Sequence, residues 1–238
     1  MTQSMAETTY TPEEFELLSD TKGWELIDGK PVEKDKGEVP ARPTPPLTPE
    51  QFESLSGMKG WELIDGTPKE KSVGTENGMI QIRIGRLLAA HVDDNRLGYV
   101  MADDAGYRCF PHRPRLVRKP DLSFVRTGRF PNDRPPRGYA KLVPDLCVEV
   151  VSPNDLYEEV DDKVNDYLLV NVPMIWVVNA ALRTVLVYLA DGTIRRYTAD
   201  QELPGEPVLP GLVIRVADLF PPPLPPATVA VLPLDAPA

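Results

Sequence analysis

Residues 145–154 read DLCVEVVSPN, and a single residue in that run decides how the chain is understood. The stretch from Leu146 to Val151 is apolar except for Glu149, and Ser152-Pro153-Asn154 closes it. A short apolar run bounded by turn residues predicts a central strand covered on both faces. A carboxylate in the middle of such a strand loses its hydration at a cost of several kcal/mol unless something compensates it. Glu149 therefore calls for a basic side chain or a metal ion. Both alternatives stand on this run alone.

Working outward, residues 156–170 have helical periodicity, with Val160, Val164, Tyr167 and Leu168 turned inward. Strands are predicted at 174–178, 184–189 and 193–197, with Asp191-Gly192 as the last hairpin turn. On the N-terminal side, residues 76–94 form an amphipathic helix whose Ile80, Ile84, Leu87 and Leu88 share one face. Strands follow at about 97–103 and 106–110, joined near Asp104-Ala105-Gly106. Another begins at Leu122, directly after Pro120-Asp121. Residues 127–144 are rich in Pro, Gly and Arg and read as a surface loop. The succession of helix, strands, helix and strands predicts an α/β fold with a mixed sheet.

An internal repeat lies upstream of this core. Residues 11–34 recur at 48–71 with an offset of 37, and 18 of the 24 positions are identical. Two copies are too few for a solenoid, so a local duplication is the reading. In each copy Thr-Pro opens a short helix, Trp-Glu-Leu-Ile starts a strand, and Asp-Gly turns into a second strand. Residues 35–47 hold four prolines and form a linker. The predicted organisation is a duplicated copy plus linker over 1–47, a folded domain over 48–220 and a Pro-rich tail over 221–238.

The chain has 238 residues, of which 42% are hydrophobic, enough to bury a sizeable core. The start MTQSMAETTY has neither a basic nor an apolar signal region, and no apolar run is long enough to span a membrane. A cytoplasmic protein without membrane partners is the expectation. Cys109 and Cys147 have no metal-ligand spacing, and Cys147 reads as a buried thiol. His91 and His112 have no partner motif, so helix-face or loop roles are expected for them. The net charge is −10, which argues on its face against nucleic acid. The distribution argues otherwise: residues 108–141 carry ten Lys or Arg and two acids, whereas 145–166 carry eight acids and one Lys. Two readings stand: a basic stretch contacting a phosphate backbone, or arginines paired with neighbouring acids.

Asp121 precedes a second apolar strand. If that strand neighbours the one carrying Glu149, the two carboxylates converge. A few oxygen ligands completed by water suit Mg2+ or Mn2+. Lys163, on the following helix, is placed either to swing toward these carboxylates or to pair with Glu159 along the helix.

Pro120-Asp121, the run from Asp145 to Asn154, Lys163 with Tyr167, and Met174-Ile-Trp-Val-Val together resemble the Uma-type family of bacterial putative restriction endonucleases, in the PD-(D/E)xK nuclease superfamily. Phe52, Trp61-Glu-Leu-Ile-Asp-Gly, Leu209-Pro-Gly-Leu and Leu219-Phe220 also resemble its pattern, so the likeness covers about 48–220. It implies a restriction-endonuclease-like core, a central mixed sheet flanked by helices. By the same resemblance Asp121 and Glu149 are metal ligands and catalytic residues, and the Val150 carbonyl is a further ligand. The motif's lysine position holds Val151, and Lys163 matches the lysine that replaces it from the helix. Glu62 is a further acidic candidate.

The expected activity is Mg2+-dependent (or Mn2+-dependent) endonucleolytic hydrolysis of DNA, with the Arg and Lys residues of 108–141 on the phosphates. The alternative is a catalytically degenerate nuclease fold serving as a binding or regulatory module. The extra N-terminal copy could compete with 48–71 for one place on the core, within a chain or exchanged in a homodimer.

Overall fold

The computed structural model describes residues 11, 24–27, 30–33, 46–71, 74–151 and 155–222. They belong to two units, Met1–Pro46 and Leu47–Ala238. The helix expected in the first copy, and the tail beyond 222, lie outside the described residues.

In the first unit, β1 (Trp24–Ile27) pairs antiparallel with β2 (Lys30–Glu33), with Trp24 opposite Glu33. The second copy repeats that hairpin in the second unit. There β3 (Trp61–Ile64) pairs with β4 (Thr67–Glu70), with Trp61 opposite Glu70. Its two-residue turn needs positive φ at both positions, and Asp65 (49°) and Gly66 (84°) supply it. Helix α1 (Pro49–Ser54) precedes the hairpin. Thr48 caps it: the Thr48 hydroxyl accepts from the Gln51 amide, and the Gln51 side chain accepts from the Thr48 amide.

Helix α2 (Thr75–Asn95) buries Ile80, Ile84, Leu88 and Val92 completely, one residue per turn along a single stripe. It is followed by β5 (Gly98–Ala102), β6 (Leu122–Arg126) and β7 (Leu146–Val151). Helix α3 (Tyr157–Leu169) then leads to β8 (Met174–Asn179), β9 (Thr184–Leu189) and β10 (Ile194–Thr198). These strands form one six-stranded sheet in the order β10-β9-β8-β7-β6-β5. All neighbours are antiparallel except β7 and β8, the pair that α3 connects. The expected mixed sheet flanked by helices is therefore what forms.

Strand parity divides the core into two layers. Leu122, Phe124, Leu146, Val148, Val150, Met174 and Trp176 face α2. Val125, Cys147, Ile175 and Val177 face the opposite way, toward Val164 and Tyr167 of α3. The α2 layer also takes in Leu203 and Ile214, from the small sheet that β11 (Glu202–Pro204) forms with β12 (Val213–Arg215).

The strand expected at 106–110 does not form. Tyr107 alone makes bridges, one to Arg118 and one to Ala140. The Tyr107 amide and carbonyl both bond Arg118, and the next amide turns away to Ala140, so no single partner is followed. Pro111, Pro114 and Pro120 remove the donors that a continuing ladder would need. The irregular segment that results delivers Arg118, Lys119 and Asp121 to the end of β6.

Candidate active site

Register brings the two carboxylates together. In the antiparallel β6–β7 pair, Leu122 lies opposite Val148. One further step along that register sets Asp121 opposite Glu149. Both side chains are on the α3 side of the sheet, the side that Ser123 and Cys147 also face. They are almost fully buried, at 7% and 4% exposure.

Among the described residues, each carboxylate is held by two donors. Glu149 Oε1 accepts from the Tyr167 hydroxyl at 2.7 Å, and Oε2 accepts from Lys163 Nζ at 3.0 Å. Lys163 and Tyr167 are one helical turn apart on α3, so both reach the same carboxylate. Glu159, the alternative partner for Lys163 along the helix, is instead paired with Lys69 at 2.8 Å. Asp121 Oδ2 accepts from the Val150 amide at 2.7 Å, and Oδ1 accepts from Lys71 Nζ at 2.9 Å. The Val150 carbonyl accepts from Asn77 Nδ2 at 3.2 Å.

The electrostatics follow from this packing. Burial raises the pKa of Glu149 above the ordinary carboxylate value, and the Lys163 ammonium opposes that rise. Burial works against charge on Lys163 too, yet the Glu149 carboxylate wins and holds its pKa above the usual lysine value. Lys71 behaves alike: against the cost of burial, Asp121 and then Glu149 keep it protonated. The Tyr167 hydroxyl is pushed well above its normal pKa by burial beside Glu149, so it remains a donor.

Glu62 lies in the same cavity of about 210 Å³, with Lys71, Arg118, Asp121, Glu149 and Lys163. Its carboxylate is occupied differently. One oxygen accepts from the Lys119 amide at 2.7 Å and the other from Arg118 at 3.2 Å. Glu62 thus ties the β3–β4 hairpin to the segment that leads into Asp121. Arg118, only 3% exposed, also meets Asp166 and Asp162, both at 2.6 Å.

Every site residue read from the sequence lines this one cavity: Asp121, Glu149, Val150, Lys163 and Glu62. Lys71 and Asn77, which no sequence expectation named, also line the cavity, as does Arg118, expected on the phosphates with the rest of 108–141. A signal for Arg118 was present, since the basic block at 108–141 adjoins the acidic block at 145–166. The structure pairs members of the two. For Lys71 no signal existed, because it lies just past an exposed hairpin strand, fifty residues from its partner.

The oxygen donors here are the Asp121 and Glu149 carboxylates and the Val150 carbonyl. They are hard ligands, and each keeps a lone pair beyond the bond it already accepts. Among the described residues no three of His, Cys, Asp or Glu gather as a ready-made cage. A set of this size fits Mg2+ or Mn2+, which retain several of their waters, better than Zn2+, which prefers nitrogen and sulfur.

The Uma2 family, described as a putative restriction endonuclease, matches residues 49–217. Among solved structures, a putative nuclease belonging to DUF820 from Anabaena variabilis ATCC 29413 has the same fold. Its TM-score is 0.62 at 22% sequence identity, over 74% of this chain and 98% of that one. No curated protein matches the sequence.

Proposed function

The chain belongs to the Uma2 family, and we propose that it is a Mg2+- or Mn2+-dependent DNA endonuclease acting at the Asp121–Glu149 cavity. One observation carries this reading: two buried carboxylates face the same cavity from adjacent strands, with lysines against both. Asp121, Glu149 and the Val150 carbonyl would hold the ion. Such an ion lowers the pKa of a bound water and offsets charge developing on a phosphoryl group.

The chain's own residues do the rest. Tyr167 and Lys163 fix both oxygens of Glu149, and the Val150 amide fixes Asp121, so neither carboxylate must reorganise when substrate arrives. Val151, at the position where the family motif carries lysine, has no proton to offer. Lys163 brings an ammonium to the cavity from α3 instead, placed to orient a water or a phosphate oxygen.

The arginines of 108–141 are largely committed elsewhere. Arg108 pairs with Glu50, Arg113 with Asp65 and Asp166, Arg118 with Asp166, and Arg126 and Arg129 with Asp145. Lys119 is buried, with its ammonium 5.9 Å from the centre of the Phe52 ring and 5.8 Å from that of Tyr139. Arg115, Arg134, Arg137 and Lys141 are exposed and, among the described residues, have no acidic partner. These four are the residues proposed to track DNA. Replacing Arg134, Arg137 and Lys141 together by Ala is expected to weaken duplex binding and flatten its salt dependence by about one unit of log–log slope per charge removed. An unchanged slope in a filter-binding titration would remove this surface from the proposal.

The activity itself is tested with supercoiled plasmid. Nicking is expected with added Mg2+ or Mn2+ and is expected to stop with EDTA. DNA retained by the protein but left intact at millimolar metal would favour the alternative, a nuclease fold that binds without cutting.

A further inference from the structure

Lys71 lies just past β4, and its ammonium sits between two oxygens, 2.9 Å from Asp121 Oδ1 and 2.8 Å from the Lys119 carbonyl. Its side chain is 8% exposed and that of Asp121 is 10% exposed, so solvent does little to screen the pair. A buried lysine with two anionic or carbonyl oxygens as partners is a bound cation in all but tether. It sets its positive charge against one of the two oxygens through which Asp121 could ligate a metal ion, and the Val150 amide bonds the other.

The charges around the cavity have the same implication. Asp121 and Glu149 contribute two negative charges, and Lys71 and Lys163 return two positive ones. Arg118 offsets only one of the Glu62 and Asp166 charges, and Arg113 meets Asp166 as the second cation. A divalent ion entering beside an undisplaced Lys71 would meet a like charge within a few ångströms in a poorly solvated site, which is strongly unfavourable.

We propose that Lys71 is a tethered counter-ion that holds the cation place at Asp121 and has to give it up when a divalent metal binds. This rests on the metal-dependent reading above. Lys163 differs in kind. It pairs with Glu149 from within a helix and shares that carboxylate with Tyr167. Lys71 comes from the end of a hairpin strand on a flexible four-carbon stem, and its retreat leaves the Val150 amide still holding Asp121 in place.

Calorimetric titration of the full chain with MnCl2 at fixed pH and low ionic strength tests this without any activity readout. Lys71→Met removes the competing charge, and Lys71→Gln removes the charge while keeping a donor for the Lys119 carbonyl. Both are expected to bind Mn2+ about tenfold more tightly than the wild type, and Lys71→Arg is expected to bind no more tightly than the wild type. Melting curves without metal establish that each variant is folded, and Lys71→Gln serves if Lys71→Met is not. Wild type and both neutral variants binding Mn2+ equally would overturn the role of Lys71 and leave the metal site standing. No binding by any of them at millimolar Mn2+ would overturn both.

Discussion

Glu149→Gln is expected to slow metal-dependent DNA cleavage by at least about a thousandfold, with Asp121→Asn close behind. Each exchange keeps the shape of the side chain and removes the charge that would draw in a divalent ion. The fold is expected to survive. A neutral amide at position 149 no longer carries the desolvation cost of a buried carboxylate, and its oxygen can still accept from the Tyr167 hydroxyl. At position 121 the amide oxygen can still accept from the Val150 amide, and the lost charge beside the buried Lys71 ammonium lowers stability by an amount the melting curves read. Plasmid cleavage rates, read beside melting curves for the same preparations, separate the two effects. A rate within tenfold of the wild type in either folded variant would remove that carboxylate from the chemistry.

Glu149 was legible because the physics of one strand is local. An ionised group inside a run of Leu, Cys and Val is conspicuous whatever surrounds it, and the run's length and closing turn give its place in the sheet. Asp121 was legible only conditionally, since convergence required the two strands to be neighbours. The register of Leu122 against Val148 meets that condition. Lys163 had two readings of equal form, and the competition was decided by Lys69, which takes Glu159 from a different element. A sequence offers no view of that competitor.

The basic stretch shows the opposite limit. Ten cations between 108 and 141 invite a nucleic-acid reading, and the acids that neutralise many of them come from α1, the β3–β4 turn, α3 and the start of β7. Charge density along a chain is visible, but the pairing is a property of the fold. The same holds for 106–110, whose composition suits a strand. Its amides go to two different neighbours, and prolines then remove the donors that a ladder would need.

Arg118→Met is expected to cost about 3–5 kcal/mol of folding stability, the range for breaking a buried ion pair from one side. Arg118 reaches Asp166 at 2.6 Å and Glu62 at 3.2 Å, where side-chain exposures are 4% for Arg118, 1% for Asp166 and 4% for Glu62. Removing the guanidinium takes a charged partner from both buried carboxylates. Asp166 keeps Arg113 at 2.8 Å, and Glu62 keeps, among the described residues, the Lys119 amide at 2.7 Å. Urea unfolding of the two proteins gives the difference directly, and a loss below about 1 kcal/mol would mean the network is no more than a surface cluster. The consequence reaches the chemistry. Glu62 ties the hairpin to the Arg118–Lys119 segment, the Lys119 carbonyl receives Lys71, and Asp121 follows two residues later. A weakened Arg118 network would therefore loosen the platform that presents Asp121 to Glu149. Glu62, the further acidic candidate of the family resemblance, gives both of its oxygens to that platform.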